Sequence, residues 1–161
     1  MKLKKVWLLS GVPGCGKSTW ARHQISKKGG FWASRDAVRF SIIKEDEPYF
    51  NQEDEVFNTW INQICDALSN PIVKDIYIDA THLNDKSRNK VLNRLPKDNI
   101  EEIINVVFDV PIEVCLLRNS QRSGRECVPE SVILNMHKIF QMPSKHSTII
   151  INENGEELVY G

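Results

Sequence analysis

Residues Gly11 to Ser18 read GVPGCGKS, a full match to the pattern G-x-x-x-x-G-K-[ST]. Glycines at this spacing let the backbone curl so that its N–H groups converge on phosphate oxygens. A helix starting at Lys17 adds the positive end of its dipole to the same place. Lys17 supplies a mobile cation for β- and γ-phosphates, and Ser18 a hydroxyl for Mg²⁺. Gly11, Pro13, Gly14, Cys15, Gly16, Lys17, Ser18 and Thr19 are therefore the expected phosphate cradle. A thiol at a helix N-terminus has a lowered pKa, but this loop position accepts many small residues, and Cys15 is read as structural.

Acids and arginines follow at positions that suit phosphoryl transfer. Asp36 and Arg39 are three apart, on one face of a helix that follows a short strand. There Asp36 can orient an attacking hydroxyl and take its proton, and Arg39 can hold a phosphate of the acceptor. The plainer alternative is a capping Asp beside a solvated Arg. Asp79 ends an apolar run, in YIDATHLN, where a carboxylate can position Mg²⁺ or its water. Thr81 and His82 follow it, and His82 is read as a loop histidine satisfied by internal partners. Arg118, Arg122 and Arg125 lie in RNSQRSGR, a stretch without an acid. Arg118 and Arg122 share a helix face, and Gly124 allows a bend, so residues 118–128 suit a lid whose arginines meet the transferring phosphoryl group. Trp20, Trp32 and Trp60 are expected to fill core rather than to stack bases.

The elements that must carry these residues alternate in period. Strands are expected at Val6–Leu9, Phe31–Ser34, Asp75–Asp79, Glu102–Phe108 and Thr148–Ile151, with a short one at Glu157–Tyr160. Helices are expected at Lys17–Lys27, closed by Gly29-Gly30, and at Asp36–Ile43 and Glu53–Ser69. Three more follow: one capped by Asn84 and running to Leu95 before Pro96, and two opened by Pro111 and Pro129, ending near Gln121 and Gln141. Strands alternating with helices predict one α/β domain over residues 1–161, a mostly parallel sheet between helical layers. Lys44 to Glu55 carries six acids against one lysine and is read as a solvated connection.

Bulk properties narrow the function classes. Twenty-one basic residues balance 21 acidic ones in 161 residues, so no basic coat is available to wrap nucleic acid nonspecifically. No apolar run reaches the roughly 18 residues of a membrane span. The four cysteines form no CxxC pair and no zinc spacing, and read as reduced thiols of a cytoplasmic protein. The guanine-reading N-K-x-D is missing, because Asn89-Lys90 continues as Val-Leu, and no D-x-x-G follows the third strand. A phosphotransferase is the remaining class, with a non-catalytic ATP-binding regulator as the alternative that would not need Asp36.

GVPGCGKSTWAR, SRDAVR, DATHLN and DVPIEVCLLRNSQRSGRECVPESVILNMHKIF occur in the order and at the spacing that resemble the 5′-kinase module of phage-type polynucleotide kinases, from about Lys5 to Met142. The resemblance implies a P-loop kinase fold, a three-layer α/β/α sandwich with an arginine-bearing lid. It implies transfer of the γ-phosphate of ATP to the 5′-hydroxyl of DNA or RNA, with Mg²⁺. By the same resemblance Lys17 and Ser18 bind ATP and metal, Asp36 is the general base, Arg39 grips the acceptor's 3′-phosphate and Asp79 supports the site. Arg122, with Arg118 beside it, meets the donor phosphates. The phosphatase motif D-x-D-x-T of the bifunctional members does not occur, and Glu45 to Asn70 shows little of the family pattern. A small-molecule or nucleoside kinase of the same fold is the competing reading; a neutral sugar acceptor would not require Arg39.

Overall fold

A computed structural model describes residues 3–158; the side chain of Arg125 and residues 159–160 of the expected last strand lie outside the described set. The elements run β1 (Lys4–Ser10), α1 (Lys17–Lys28), β2 (Phe31–Ser34), α2 (Arg35–Ile42), α3 (Glu53–Ser69), β3 (Asp75–Asp79), α4 (Asp85–Leu92), β4 (Ile100–Phe108), α5 (Ile112–Ser120), α6 (Glu130–Ile139), β5 (Ser147–Ile151) and β6 (Glu157–Leu158). A single 3₁₀ turn, Gly124–Glu126, separates α5 from α6.

The six strands form one sheet in the order β2-β3-β1-β4-β5-β6, parallel except for β6. Side chains alternate across it as a pleated strand requires. Val6, Leu8, Ile76 and Ile78 join a core that includes Val56, Trp60, Ile64 and Leu68 of α3. Leu9, Tyr77, Val106 and Phe108 pack on the other face with Trp20 and Ala21 of α1, Cys115 of α5 and Ile133 of α6. Both faces are covered, so the domain is the three-layer sandwich the alternating pattern calls for.

Register aligns the strand ends that matter. Leu9 pairs with Asp79, and Asp79 with Ser34. The loops after β1 and β3 and the start of α2 after β2 therefore leave the sheet side by side at its carboxyl edge, where open α/β sheets bind ligands. Several element ends differ from expectation by one to three residues, two of them for a visible local reason. Helix α2 begins at Arg35, because the Ser34 hydroxyl accepts the Ala37 N–H at 3.1 Å and caps it. Helix α4 stops at Leu92, where the N–H groups of Arg94 and Leu95 turn to carbonyls three residues back.

Candidate active site

Helix α1 starts from Gly16 in the left-handed region, at φ 98°, with no side-chain cap and no acid in its first turn. Its first N–H groups and its dipole are thus left for an anion. Gly14 lies at φ 85°, and a Cβ there would sit 2.4 Å from the carbonyl oxygen of Cys115. Only glycine lets the loop pass α5 so closely. The Lys17 ammonium donates to the carbonyls of Gly11 at 2.9 Å and Val12 at 3.3 Å, curling back over its own loop. Cys15 is buried against Gly11, and burial pushes its thiol pKa up despite nearby Lys17, in keeping with a structural role.

Ser18 donates to Asp79 Oδ2 at 2.8 Å, and the Trp32 indole N–H donates to the same oxygen at 2.9 Å. Asp79 is 5% exposed, so two bonds on one oxygen hold a buried carboxylate beside the expected metal hydroxyl. Trp20 and Trp60 are core residues as expected. Trp32 packs half-buried against the core that holds Trp20, and it also lines the cleft and donates to Asp79. The donor set of Ser18 hydroxyl and Asp79 carboxylate beside an uncapped helix start fits a hard divalent cation with a nucleotide phosphate.

Asp36 and Arg39 do share a face of α2, but Arg39 is not solvated. It is 5% exposed, with Nε donating to Glu53 Oε1 at 2.7 Å and Nη2 to Glu53 Oε2 at 3.1 Å. Its Nη1 donates to Asp36 Oδ1 and, at 2.7 Å, to the hydroxyl of Tyr49, which in turn donates to Asp36. Four of the five guanidinium N–H groups are engaged in these described bonds. Burial opposes the charge on Arg39, but Glu53, Tyr49 and Asp36 outweigh it and hold its pKa above the ordinary value. Burial likewise opposes ionisation of Glu53, and Arg39 and Arg35 outweigh it, so its carboxyl is held below the usual range.

Glu53 therefore corrects the reading of the acidic stretch as solvated throughout: it is the anchor of both Arg39 and Arg35, whose Nη2 donates at 3.0 Å. Glu53, Tyr49 and Arg35 escaped sequence reasoning. A pair 14 residues apart, across an irregular connection, has no periodic signature. Tyr49 and Arg35 are also placed by that connection and by the cap at Ser34.

His82 sits in the left-handed region at φ 42°, is 3% exposed and stacks on Trp60. Its Nδ1–H donates to the Leu9 carbonyl, while Nε2 is buried without a partner. Burial, joined by the charges of Arg88, Arg35 and Lys17, pushes its pKa down to about 3 against the pull of the Leu9 bond. The ring is thus neutral, as a satisfied loop histidine would be on one side only.

At the end of α5, Arg118 donates to the Gly14 carbonyl at 3.4 Å and to the Glu153 carbonyl at 2.6 Å, strapping the loop to the β5–β6 turn. Arg122 is exposed and lines the cleft. The helix expected to reach Gln121 ends at Ser120, and the 3₁₀ turn carries the chain on to α6. One cleft of about 1020 Å³ brings together Lys17, Ser18, Asp36, Arg39, Asp79 and Arg122. Among the described residues no helix is long and apolar enough to cross a membrane.

A phosphate loop between β1 and α1, and a mostly parallel sheet with β1 at its centre and helices on both faces, define a P-loop kinase fold. The family model described as an AAA domain, AAA_33, matches residues 6–143, and the chain belongs to that family. Solved structures of similar fold include the Pnkp1/Rnl/Hen1 RNA repair complex, at 24% identity and TM-score 0.71 over 86% of this chain and 44% of that one. A fungal RNA kinase aligns at 15% identity and TM-score 0.66, over 94% of this chain and 74% of that one. A sugar kinase from Janibacter sp. HTCC2649 aligns at 21% identity and TM-score 0.60, over 94% and 86%.

Proposed function

We propose that this protein transfers the γ-phosphate of ATP to the 5′-hydroxyl end of DNA or RNA. The observation that carries this reading is the shared cleft: Asp36, with a side chain 58% exposed, opens onto the cavity that holds Lys17 and Ser18. In this reading the loop N–H groups and Lys17 bind the β- and γ-phosphates, and Ser18 and Asp79 hold the metal. Bound Mg²⁺ supplies charge neutralisation on the transferring phosphoryl group. Asp36 orients the acceptor hydroxyl and takes its proton, and Arg39, already bonded to Asp36, keeps that carboxylate aimed. In this reading the remaining Arg39 N–H meets an acceptor phosphate. Arg122 meets the donor phosphates from the lid, with Arg118 behind the loop. The similarity to RNA-repair and RNA-kinase structures supports the choice of acceptor.

The engagement of Arg39 by Glu53 favours one second reading, a kinase for a small neutral alcohol, which the similarity to a sugar kinase supports. Labelled ATP with Mg²⁺, offered 5′-OH DNA, 5′-OH RNA, 3′-nucleotides, nucleosides and sugars, separates the two. Transfer to a sugar and to no 5′-OH nucleic acid would overturn the first reading. Lys17→Ala should abolish transfer to every acceptor.

A further inference from the structure

Among the exposed large apolar side chains of the described residues, Phe50 is the one aromatic, at 59% exposure, and it lines the cleft. A single exposed hydrophobe is ordinary on a protein surface; the anchoring of this one is not. The Phe50 ring meets Tyr49 edge-to-face at 4.6 Å, and Tyr49 meets Phe40 at 6.0 Å. The Arg39 guanidinium lies 4.2 Å from the Tyr49 ring and 5.7 Å from that of Phe50. Tyr49 in turn donates to Asp36. Phe50 thus ends a ladder of rings rooted on the proposed base, so its position is coupled to the reacting carboxylate while its outer face stays open to the cleft.

The surrounding charge limits what that face can take. Glu47, Glu53 and Asp36 line the same part of the cleft, and Arg39 is committed to two of them. A polyanion gains little electrostatic attraction here. Base-on-aromatic stacking needs no charge and tolerates every base, because each has a π-face. We propose that Phe50 is the stacking platform for the terminal base of the acceptor, next to the 5′-hydroxyl that Asp36 activates. The inference rests on the polynucleotide reading above and assigns it a recognition residue.

Steady-state kinetics with ATP, a 5′-OH oligonucleotide and the same oligonucleotide with an abasic first residue test it. Phe50→Ala should raise KM for the intact acceptor about 5- to 150-fold, the range of one stacked base, with kcat and the KM for ATP changed much less. Phe50→Trp should restore it. The abasic acceptor should bind the parent and Phe50→Ala equally weakly. An unchanged acceptor KM in Phe50→Ala, or an equal loss on both acceptors, would overturn the proposal.

If the parent phosphorylates no oligonucleotide, the polynucleotide reading fails on its own. Emission of Phe50→Trp, measured against the parent, then decides the platform. Quenching by nucleosides and not by sugars upholds it; no quenching, or quenching by sugars alone, refutes it.

Discussion

Replacing Glu53 by Gln tests the network that aims Asp36. Glu53 accepts three charge-assisted bonds, two from Arg39 and one from Arg35, and its side chain is 26% exposed. Removing one partner of a buried ion pair costs about 3–5 kcal/mol. Here the loss is smaller. Gln keeps one acceptor oxygen, Arg39 keeps Asp36 and Tyr49, and Glu53 is in partial contact with water. The new amide group, however, faces a guanidinium N–H, donor against donor. We expect a loss of about 2–3 kcal/mol of unfolding free energy, a shift of about 1–1.5 M in the urea midpoint at a slope near 2 kcal/mol/M. Urea unfolding followed by tryptophan emission measures it, since Trp60 is fully buried on α3. In the same variant kcat should fall about tenfold or more, because the Asp36 carboxylate is aimed by Arg39, while the KM for ATP stays near the parent value. A midpoint unmoved, together with an unchanged kcat, would refute the argument that Glu53 holds Arg39 and through it Asp36.

Other outcomes follow from the same geometry. Asp36→Ala should lower turnover by about 10²- to 10⁴-fold, while nucleotide binding, read by calorimetry, persists; retained turnover would remove Asp36 as the base. Gly14→Ala combines an unfavourable positive φ with a Cβ 2.4 Å from the Cys115 carbonyl, backbone against backbone. It should cost about 3 kcal/mol and lower Tm by about 6–12 °C; a Tm within a degree of the parent's would refute the close approach. His82 titrates near 3 in the fold, against an ordinary value of 6.5. The unfolded chain therefore binds the proton first, and stability is complete above pH 6.5 and falls as pH drops toward 3. The full loss is roughly 4–5 kcal/mol by linkage. His82→Asn should flatten that part of the stability–pH curve, and an unaltered slope between pH 6 and 4 would refute the assignment.

The sequence alone determined the alternation of strands and helices, because hydrophobic period and capping are local properties of the chain. It also located the glycine loop between β1 and α1: Gly11 to Ser18 is one stretch, and the backbone path it permits is set within eight residues. Asp79 was legible as a carboxylate ending a strand and Asp36 as one just beyond the end of another, since register brings such ends to one edge of a parallel sheet. What the chain did not show locally is which partners these groups find. Glu53 reaches Arg39 across an irregular connection, Trp32 turns its N–H to Asp79 47 residues away, and Arg118 straps Gly14 to the turn at Glu153. These contacts exist only once the sheet and both helical layers are packed. Burial then decides their chemistry, turning a solvent-loving Arg39 into the buried partner of Asp36 and Glu53 and leaving Phe50 as the exposed aromatic of the cleft.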